Sequence, residues 1–484
     1  MRSRPRRGPV KRGRTARPRR GGEDAGRAAQ SLYVAHEKIY PREVQGRYAS
    51  LRWLAVWLLL GLYYLLPWMS WDGRQAVLFD LPARKFYIFG LTFWPQDFFF
   101  MAWLLIMAAL MLFFVTAIAG RLWCGYACPQ TVWTEAFLWM ERITEGRHGR
   151  RRKLDEGPWT LEKLARKGTK QVLWIGFSLW TGFTFVAYFT PTLELGHKVL
   201  TFSTGAWETF WILFYGFATY GNAGFLREQV CKYMCPYARF QSAMFDKDTL
   251  IISYDARRGE PRGPRKMDLD RQTSPLGDCI DCHLCVQVCP TGIDIREGLQ
   301  IECIACAACV DVCNGVMDRM HYPRGLVRYS THHAMEEQRP SRVWRARVLI
   351  YGALLLALLI GFGAAVANRS TLIVDVIRDR NTLYRERAGG LIENVYTLTF
   401  VNKTEVERQY RIAAHGIDGL VVDLDRPQPL VSGPGQVLRV PLRLQAPSSA
   451  LASDIVEVTL TVEASGEVPA RIERRAPFVG PGAR

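Results

Sequence analysis

Apolar residues in this sequence are gathered into five long blocks, separated by polar segments that are rich in arginine and lysine. A helix of about 20 apolar residues is long enough to cross the hydrocarbon core of a bilayer. The pattern therefore predicts five membrane-spanning helices and excludes a purely soluble protein. Gly, Ser and Thr interrupt the third and fourth blocks and weaken the signal there. The predicted spans cover residues 51–68, 98–119, 172–190, 207–225 and 348–367.

Basic residues are divided unevenly among the connections between these blocks. Fourteen Lys or Arg precede the first span, ten lie in residues 120–169 and seventeen lie in residues 226–345. Only three lie between the first and second spans, and one lies between the third and fourth. Cytoplasmic loops carry the excess of Lys and Arg. The chain is therefore predicted to lie in a bacterial inner membrane, with a cytoplasmic N-terminus and a periplasmic C-terminus.

The first 50 residues carry a net charge of +10, out of +18 for the whole chain. Residues 2–27 are mostly Arg, Pro and Gly, a composition that cannot bury much apolar surface and predicts disorder. Attraction to anionic lipid is the simplest role for this charge. Nucleic-acid binding is the sharper alternative. No aromatic or structured element accompanies the charge, so no nucleic-acid partner is predicted.

All twelve cysteines lie in segments predicted to face the cytoplasm, where thiols stay reduced. Eight of them form two successive runs with the spacing C-x2-C-x2-C-x3-C. That spacing is typical of bacterial ferredoxins with two [4Fe–4S] clusters. Zinc sites usually pair cysteines in twos with longer gaps, so zinc is the less favoured alternative. The predicted ligands are Cys279, Cys282, Cys285 and Cys313 for one cluster, and Cys303, Cys306, Cys309 and Cys289 for the other.

The exchange of the fourth ligand between the two runs follows from the geometry of the chain. Three thiolates with two residues between neighbours, on a tight loop, can cover three corners of one cubane. The fourth cysteine is expected to begin a helix that leads away from this loop, so it reaches the other cluster. Such crossed ligation holds the two clusters close together, which favours rapid electron transfer between them.

The remaining four cysteines form an internal repeat with the pattern C-x3-C-P. One copy, residues 123–129, follows the second predicted span, and the other, residues 230–236, follows the fourth. In a helix, positions i and i+4 place both thiols on one face, and Pro after the second Cys is expected to end the element there. Two copies that meet at the membrane surface would gather four soft thiolates. These are Cys124, Cys128, Cys231 and Cys235.

Several chemistries remain open for these four cysteines. Soft thiolates select Cu(I), zinc or iron–sulfur clusters. A redox-active dithiol is a further alternative, and packing of the helix ends is the plainest one. Basic residues nearby, Arg121, Lys232 and Arg227, are expected to lower the thiol pKa values and so favour thiolate.

After the fifth block the hydrophobic pattern changes to short alternating runs that are separated by turn residues. About seven strands in the last 110 residues or so predict a β-sandwich of immunoglobulin type. No cysteine follows the fifth block, so this sandwich lacks an inter-sheet disulfide, and protein docking is its expected role. The predicted strands cover residues 371–377, 395–401, 410–414, 419–424, 436–444, 455–462 and 470–476.

These features predict a multi-domain membrane protein. It combines an α-helical transmembrane bundle, an inserted two-cluster ferredoxin domain of bacterial type and a C-terminal immunoglobulin-like β-sandwich. The predicted units are the basic N-terminus 1–50, the four-helix transmembrane region 51–250, the ferredoxin domain 251–345, the fifth transmembrane helix 346–368 and the sandwich 369–484.

The order of these parts resembles the FixG/CcoG/RdxA family of cytochrome c oxidase accessory proteins, which are membrane polyferredoxins. The resemblance covers almost the whole chain, including Lys-Ile-Tyr-Pro-Arg at 38–42, both C-x3-C-P segments, both ferredoxin runs and the sandwich tail. It implies maturation of a cbb3-type haem–copper oxidase through reduction of Cu(II) to Cu(I). It also implies that the four C-x3-C-P cysteines are candidate catalytic residues that bind copper or relay electrons. The residues alone indicate a membrane electron carrier with a thiolate site.

The expected partners come from the resemblance and from the predicted membrane spans. These partners are oxidase assembly factors or the catalytic subunit, a copper transporter or chaperone, a cytoplasmic or quinol electron donor, the lipid bilayer and a second copy of the chain. Two other functions compete with copper reduction. One is a quinol-linked electron-transfer subunit that feeds a periplasmic reductase, and the other is a non-enzymatic scaffold for oxidase assembly.

Overall fold

The computed structural model describes residues 38–265, 275–379, 382–404, 406–466 and 469–481. The segment predicted to be disordered, residues 2–27, lies outside the described residues. In the described part, long helices occupy the chain up to residue 367, and the long strands follow from residue 372. The change from helix to strand falls where the hydrophobic pattern predicted it.

The α-helices of the described residues are numbered in chain order, and short 3-10 and π-helical turns are named by their residues. The helices are α1 Arg47–Leu65, α2 Phe98–Ala119, α3 Leu122–Tyr126, α4 Pro129–Glu145, α5 His148–Glu156, α6 Leu161–Ala187, α7 Thr192–Leu200, α8 Ala206–Thr219, α9 Pro236–Ala243, α10 Ala256–Gly259, α11 Leu284–Gln287, α12 Ala308–Arg319, α13 His332–Glu336 and α14 Ala346–Ala367.

Three helices in the described ranges are long and apolar enough to cross a membrane. They coincide with the first, second and fifth predicted spans. The second and third of them pack together, because Trp103 in α2 meets Phe362 in α14 with 5.8 Å between the ring centroids. The three helices are Arg47–Trp68, Pro95–Ala119 and Ala346–Ala367.

Two further helices cover the third and fourth predicted spans. They are α6 and α8, the latter continued by π-helical turns over Tyr220–Leu226. Gly182 in α6 lies so close to α8 that a Cβ there would be 2.1 Å from the carbonyl oxygen of Ile212. The absence of a side chain at Gly182 therefore lets the two backbones touch. Membrane crossing by α6 and α8 stays a prediction.

The region with the two ferredoxin runs is anchored to the first span. Strand β6, Ile251–Tyr254, pairs antiparallel with β7, Val327–Ser330, and the cysteine runs lie between them in sequence. Asp311 in α12 accepts hydrogen bonds from the backbone N–H groups of Tyr48 at 3.3 Å and Ala49 at 2.7 Å. These N–H groups belong to the first turn of α1 and have no partner within that helix. A carboxylate of the ferredoxin region thus caps a membrane span.

The C-terminal sandwich forms as predicted. The larger sheet has the order β12-β14-β10-β8 with β9 on β10, and the second sheet has the order β13-β11-β15-β16. All seven predicted strands are present, and β9 and β13 are two short additions. The strands in the described residues are β1 Ser70–Trp71, β2 Arg74–Gln75, β3 Val77–Asp80, β4 Lys85–Ile88, β5 Leu91–Phe93, β6, β7, β8 Leu372–Arg378, β9 Arg385–Arg387, β10 Leu391–Asn402, β11 Arg408–His415, β12 Val421–Leu424, β13 Leu430–Ser432, β14 Val437–Pro447, β15 Ile455–Ser465 and β16 Ala470–Val479.

The sandwich is fixed to the connection between α1 and α2. Lys403 Nζ lies 2.5 Å from Asp97 Oδ1, and both side chains are buried. Gly435 lies under the ring of Trp94, where a Cβ would come within 1.9 Å of a ring carbon. Arg369 Nη1 donates to the carbonyl oxygen of Thr92 at 2.8 Å. The sandwich is therefore packed firmly against the helical part.

Breaking the Lys403–Asp97 pair should destabilise the protein strongly. Lys403→Met leaves the Asp97 carboxylate buried without its cation, which costs about 3–5 kcal/mol. We expect a lower thermal midpoint in detergent and faster protease cleavage between α14 and the sandwich. The control is Arg471→Met, because Arg471 pairs with Glu473 at 3.1 Å on the surface, where a pair is worth about 0–1 kcal/mol. Equal midpoints for the two variants would contradict a stabilising role of the buried pair.

Candidate metal centres

Two cavities in the ferredoxin region each have four cysteines in their walls. The first is lined by Cys279, Cys282, Cys285 and Cys313, and the second by Cys289, Cys303, Cys306 and Cys309, with Cys285 at its edge. These are the two sets that the sequence predicts, including the exchange of the fourth cysteine. The remaining walls are mostly apolar, from residues such as Leu284, Val316, Ile293 and Ile304. Four thiols around a small apolar cavity fit a [4Fe–4S] cubane.

The backbone of the two cysteine loops follows the same path. Asp281 and His283 have φ of 54° and 52°, and Ala305 and Ala307, at the same offsets in the second loop, have φ of 52° and 58°. Left-handed residues other than glycine are uncommon and cost free energy. A backbone that alternates in this way turns successive N–H groups toward one concave centre and favours an anion there. The paired loops therefore suit anionic iron–sulfur groups.

The predicted start of a helix at each fourth cysteine is wrong. Helices α11 and α12 begin at Leu284 and Ala308, one residue before the third cysteine of each run. Cys313 lies inside α12, and Cys289 lies beyond the end of α11. The helix starts earlier because each loop ends with a left-handed residue at the N-cap, after which the chain can turn directly into helix.

The two cavities differ in exposure. Each cavity has one buried cysteine, Cys279 at 8% and Cys306 at 9% exposure, but only the first has an exposed one, Cys282. Burial raises the pKa of Cys303 to about 12, and it also raises the pKa of Cys306. Cys303 and Cys306 are therefore protonated at neutral pH unless a metal displaces the proton.

Two arginines that the sequence analysis did not single out lie beside these loops. Arg52 in α1 donates to the carbonyl oxygen of Cys306 at 2.5 Å. Arg296 lies beside the first cavity and pairs with Asp281 at 2.5 Å and Asp294 at 2.6 Å. Neither position has a local signal, because Arg52 stands at the start of an apolar span and Arg296 in an ordinary loop. Only the fold brings these cations to the cysteine loops.

Both C-x3-C-P segments have the predicted break at the second cysteine. Cys124 lies in α3, and Cys128 is extended with ψ of 130°, after which α4 begins at its proline. In the second copy, Cys231 lies in a π-helical turn, Val230–Met234, and Cys235 is extended with ψ of 108° before α9. Proline suits the first position of a helix and disfavours helical backbone in the residue before it.

The fold brings the two copies together. Cys124 lies within electrostatic range of Cys128, Cys231 and Cys235. The two copies are more than 100 residues apart in sequence, so only tertiary structure brings them near each other. Within the described ranges, no three His, Cys, Asp or Glu side chains converge as tightly as a single metal ion requires.

The expected lowering of the thiol pKa values is wrong for three of these cysteines. Burial raises the pKa of Cys124 to about 12 and that of Cys231 to about 11, and it raises the pKa of Cys128 as well. Arg121 acts in the predicted direction at Cys124 and Cys231, but its effect is smaller than that of burial. Of the other two basic residues, Arg227 is turned toward Glu141, with 3.2 Å between Nη2 and Oε2.

Arg121 is a buried cation near Cys124 and Cys231. It is 3% exposed and donates to the carbonyl oxygen of Ala238 and to Ser242 Oγ. Across the part of the chain that the structure describes, no Asp or Glu pairs with Arg121. A buried charge without a counter-charge is costly. The site therefore favours a negatively charged group next to Arg121.

The first C-x3-C-P segment packs directly on the second cysteine loop. Cys124 lies in one apolar cluster with Ile304, Cys306 and Ala308. A Cβ on Gly125 would be 2.7 Å from the carbonyl oxygen of Ile304. The backbones of the two elements therefore touch, with Cys124 on one side and Cys306 on the other.

Tyr329 is a further residue at this contact that the sequence did not reveal. Its hydroxyl donates to the carbonyl oxygen of Ala305 at 2.5 Å and lies 3.5 Å from the hydroxyl of Tyr126. Tyr126 belongs to the first C-x3-C-P segment. Its counterpart in the second copy, Tyr233, is 70% exposed, so the repeat does not extend to this contact.

Metal binding at the C-x3-C-P cysteines should depend steeply on pH. Because burial keeps Cys124 and Cys231 protonated, with pKa values of about 12 and about 11, a bound ion must displace protons. Raising the pH removes that cost until the pH reaches the pKa. We expect the Cu(I) affinity, measured against a competing chelator, to rise about tenfold per pH unit for each displaced proton between about pH 6 and pH 9. A flat profile would contradict thiolate ligation.

Comparison with known proteins follows the same division of the chain. The protein family described as "4Fe-4S dicluster domain" matches residues 226–332, and the family described as "4Fe-4S binding domain" matches residues 99–148. The "IG-like fold at C-terminal of FixG" matches residues 362–481. The nitrogen fixation protein FixG of Rhizobium meliloti is 38% identical over 431 residues, which are 81% of this chain and 82% of FixG. The chain belongs to the FixG family.

Other members of the FixG family agree with this assignment. RdxA and RdxB of Cereibacter sphaeroides are 40% and 42% identical, over 81% and 82% of this chain and 85% of each relative. A crystal structure of a FixG-related protein from Vibrio parahaemolyticus, 30% identical, covers 23% of this chain and 96% of its own, with a TM-score of 0.20. The three apolar helices and the similarity to FixG make the chain a membrane protein. The similarity to FixG and the matching cluster domain make it an iron–sulfur electron-transfer protein of the FixG type.

Proposed function

We propose that this protein reduces Cu(II) to Cu(I) for the assembly of a cbb3-type cytochrome c oxidase. In this proposal two thiolates at a time, drawn from Cys124, Cys128, Cys231 and Cys235, hold the copper ion. The cysteines that line the two cavities hold two [4Fe–4S] clusters, with the fourth ligand exchanged as predicted. The clusters, when bound, supply single electrons. The copper ion is the substrate, and each Cu(II) takes up one electron.

The observation that carries the proposal is the contact between the two cysteine systems. Gly125 touches the backbone of Ile304, and Cys124 shares an apolar cluster with Cys306. A copper ion at Cys124 would therefore lie next to the loop of the second cavity, without intervening solvent. Such a short path favours electron transfer to copper over transfer to a distant acceptor.

The charge around the four thiols also supports copper. Two thiolates on one Cu(I) carry a net charge of −1, and this charge would compensate the buried Arg121. Cu(I) prefers soft ligands such as thiolate. Reduction in this site therefore also retains the product, because Cu(II) is the poorer match for the same ligands.

The arrangement in the cell is part of the proposal. The excess of Lys and Arg in three connections supports a cytoplasmic ferredoxin region and a periplasmic sandwich. The sandwich, which is packed rigidly on the α1–α2 connection, would present a surface to oxidase assembly factors or to the catalytic subunit. A copper transporter or chaperone would supply the metal.

The test is a single-turnover copper assay without oxygen. Protein with both iron–sulfur centres is reduced with dithionite, freed of excess reductant and mixed with Cu(II), and Cu(I) is read with a chromogenic chelator. We expect about two Cu(I) per chain, because two clusters each give one electron. The variant with Ser at positions 124, 128, 231 and 235 should keep about eight iron per chain and react at least about tenfold more slowly. Equal rates in the two proteins would overturn the copper site.

A further inference from the structure

A cavity of about 100 Å³ lies where residues 39–44, α1, α4 and the second cysteine loop meet. Cys231 and Cys306 both lie in its wall, so it has one cysteine from each of the two systems described above. The proposed function does not use this cavity. A molecule held there would lie between the copper-binding cysteines and the iron–sulfur centres.

The wall of the cavity has an apolar part and a polar part. Trp53, Leu138 and Ile304 belong to the apolar part, which suits a flat ring. Glu43 Oε1, also in the wall, is buried and accepts no hydrogen bond, and its nearest cation, Arg142 Nε, lies 3.5 Å away. Thr134 Oγ1 accepts from Gln130 at 3.3 Å, which leaves the hydroxyl proton of Thr134 to donate elsewhere. The cavity thus offers one hydrogen-bond acceptor and one donor to a ring.

The arginines in the wall of the cavity already have hydrogen-bond or ion-pair partners within the protein. Arg142 lies 3.5 Å from Glu43 and 3.9 Å from Glu135, and Arg151 lies 3.0 Å from Glu141. These two arginines pair with carboxylates of the chain. Arg42 and Arg52, also in the wall, donate instead to Gln287 Oε1 at 3.5 Å and to the carbonyl oxygen of Cys306 at 2.5 Å. A phospholipid head group would have to displace these pairs, whereas a neutral ring with oxygen atoms would not.

The apolar part of the cavity continues onto the surface of a membrane span. Trp53 lies in α1, and the next turns of that helix expose Leu54, Trp57 and Leu58 at 61%, 69% and 62%. Residues i and i+4 lie one above the other on a helix, so Trp57 follows Trp53 along the same face. A ligand with an apolar tail could place the tail along this face and its ring in the cavity.

We propose that this cavity binds the head group of a membrane quinone, with Glu43 and Thr134 as its hydrogen-bond partners. The proposal rests on the proposed function, for which a hydroquinone is the electron source. Oxidation of one hydroquinone breaks two O–H bonds and yields a quinone, two protons and two electrons. The two electrons balance the reduction of two Cu(II) to two Cu(I). Carboxylates of the wall and water take up the protons.

The test is photolabelling with an azidoquinone of the complete protein in lipid nanodiscs, mapped by mass spectrometry. We expect labelling in α4, around residues 130–142, which an excess of a short-chain quinone suppresses. Thr134→Trp fills the cavity and should lower this labelling about tenfold. The matched control is Thr169→Trp on the exposed surface of α6, which should label as the native chain does. Glu43→Gln keeps the side-chain volume and should weaken competition by hydroquinone about tenfold.

Three results would overturn the quinone site. They are labelling spread evenly over the lipid-facing helices, equal labelling of both Trp variants, and competition by cardiolipin as strong as that by quinone. The last result would assign the cavity to a phospholipid. Iron content and visible absorption are measured on each variant. If Thr134→Trp loses iron, the test of the quinone site is the effect of Glu43→Gln on competition by hydroquinone. The copper assay uses dithionite and no quinone, so failure of copper reduction and failure of quinone binding are separate outcomes.

Discussion

Replacing Cys313 with alanine should remove the same iron–sulfur centre as replacing Cys282, although the two residues belong to different cysteine runs. Both line the first cavity. Each variant should lose about four of about eight iron atoms per chain, and the remaining EPR signal should be the same in both. Iron analysis and EPR of the dithionite-reduced proteins, prepared without oxygen, give the two readouts.

Alanine variants at the second cavity test the same crossed assignment of the cluster ligands. Cys289 and Cys306 line the second cavity, so alanine at either position should leave the other EPR signal. Size-exclusion chromatography in detergent shows whether each variant is folded. If Cys313→Ala matched Cys306→Ala instead, each run would hold its own cluster and the crossed assignment would fail. Zinc in place of iron in the native chain would remove the whole electron-transfer proposal.

Replacing Gly125 with valine should slow copper reduction on the order of 100-fold while leaving the iron content unchanged. The smallest side-chain atom, a Cβ, would already lie 2.7 Å from the carbonyl oxygen of Ile304 and 3.0 Å from the backbone of Ala305. The first C-x3-C-P segment must then move away from the second cysteine loop. Displacement of reacting groups by about 1 Å is enough for an effect of this size. The single-turnover copper assay measures it.

The control for Gly125→Val is Gly168→Val. Gly168 is exposed on α6, and a Cβ there meets nothing within 4 Å. This variant should reduce copper at the native rate, because it changes helix propensity alone. Equal slowing in both variants would point to general destabilisation. Native rates in both would show that the contact at Gly125 does not carry the reaction.

In the β-sandwich, the alternation of apolar and polar residues was enough to predict the longer strands but not the shortest ones. Tyr396, Leu398 and Phe400 alternate with polar residues in sequence, and all three are 0% exposed in β10. Alternating apolar and polar residues indicate a strand that buries one face. The seven longer strands could therefore be predicted from the sequence. The short strands β9 and β13 have three residues each, too few for an alternation to be read.

The thiol pKa values show where local reasoning stops. Sequence places Arg121 near Cys124 and predicts a more acidic thiol. Burial of Cys124 outweighs the arginine, because removal of water penalises a thiolate more than one nearby cation stabilises it. Burial depends on which distant elements cover the residue, and sequence spacing does not contain that information.

The amino-acid sequence by itself determined the cysteine runs, the apolar helices and the alternating strands, because spacing and periodicity are properties of neighbouring residues. Tertiary structure alone decided that Cys124 lies within electrostatic range of Cys231, that Gly125 touches the loop of Cys306, and that Arg52 reaches that loop from a membrane span. These contacts join residues that are far apart in the chain. They depend on how helices and loops pack, and packing follows from the shape and burial of the whole fold.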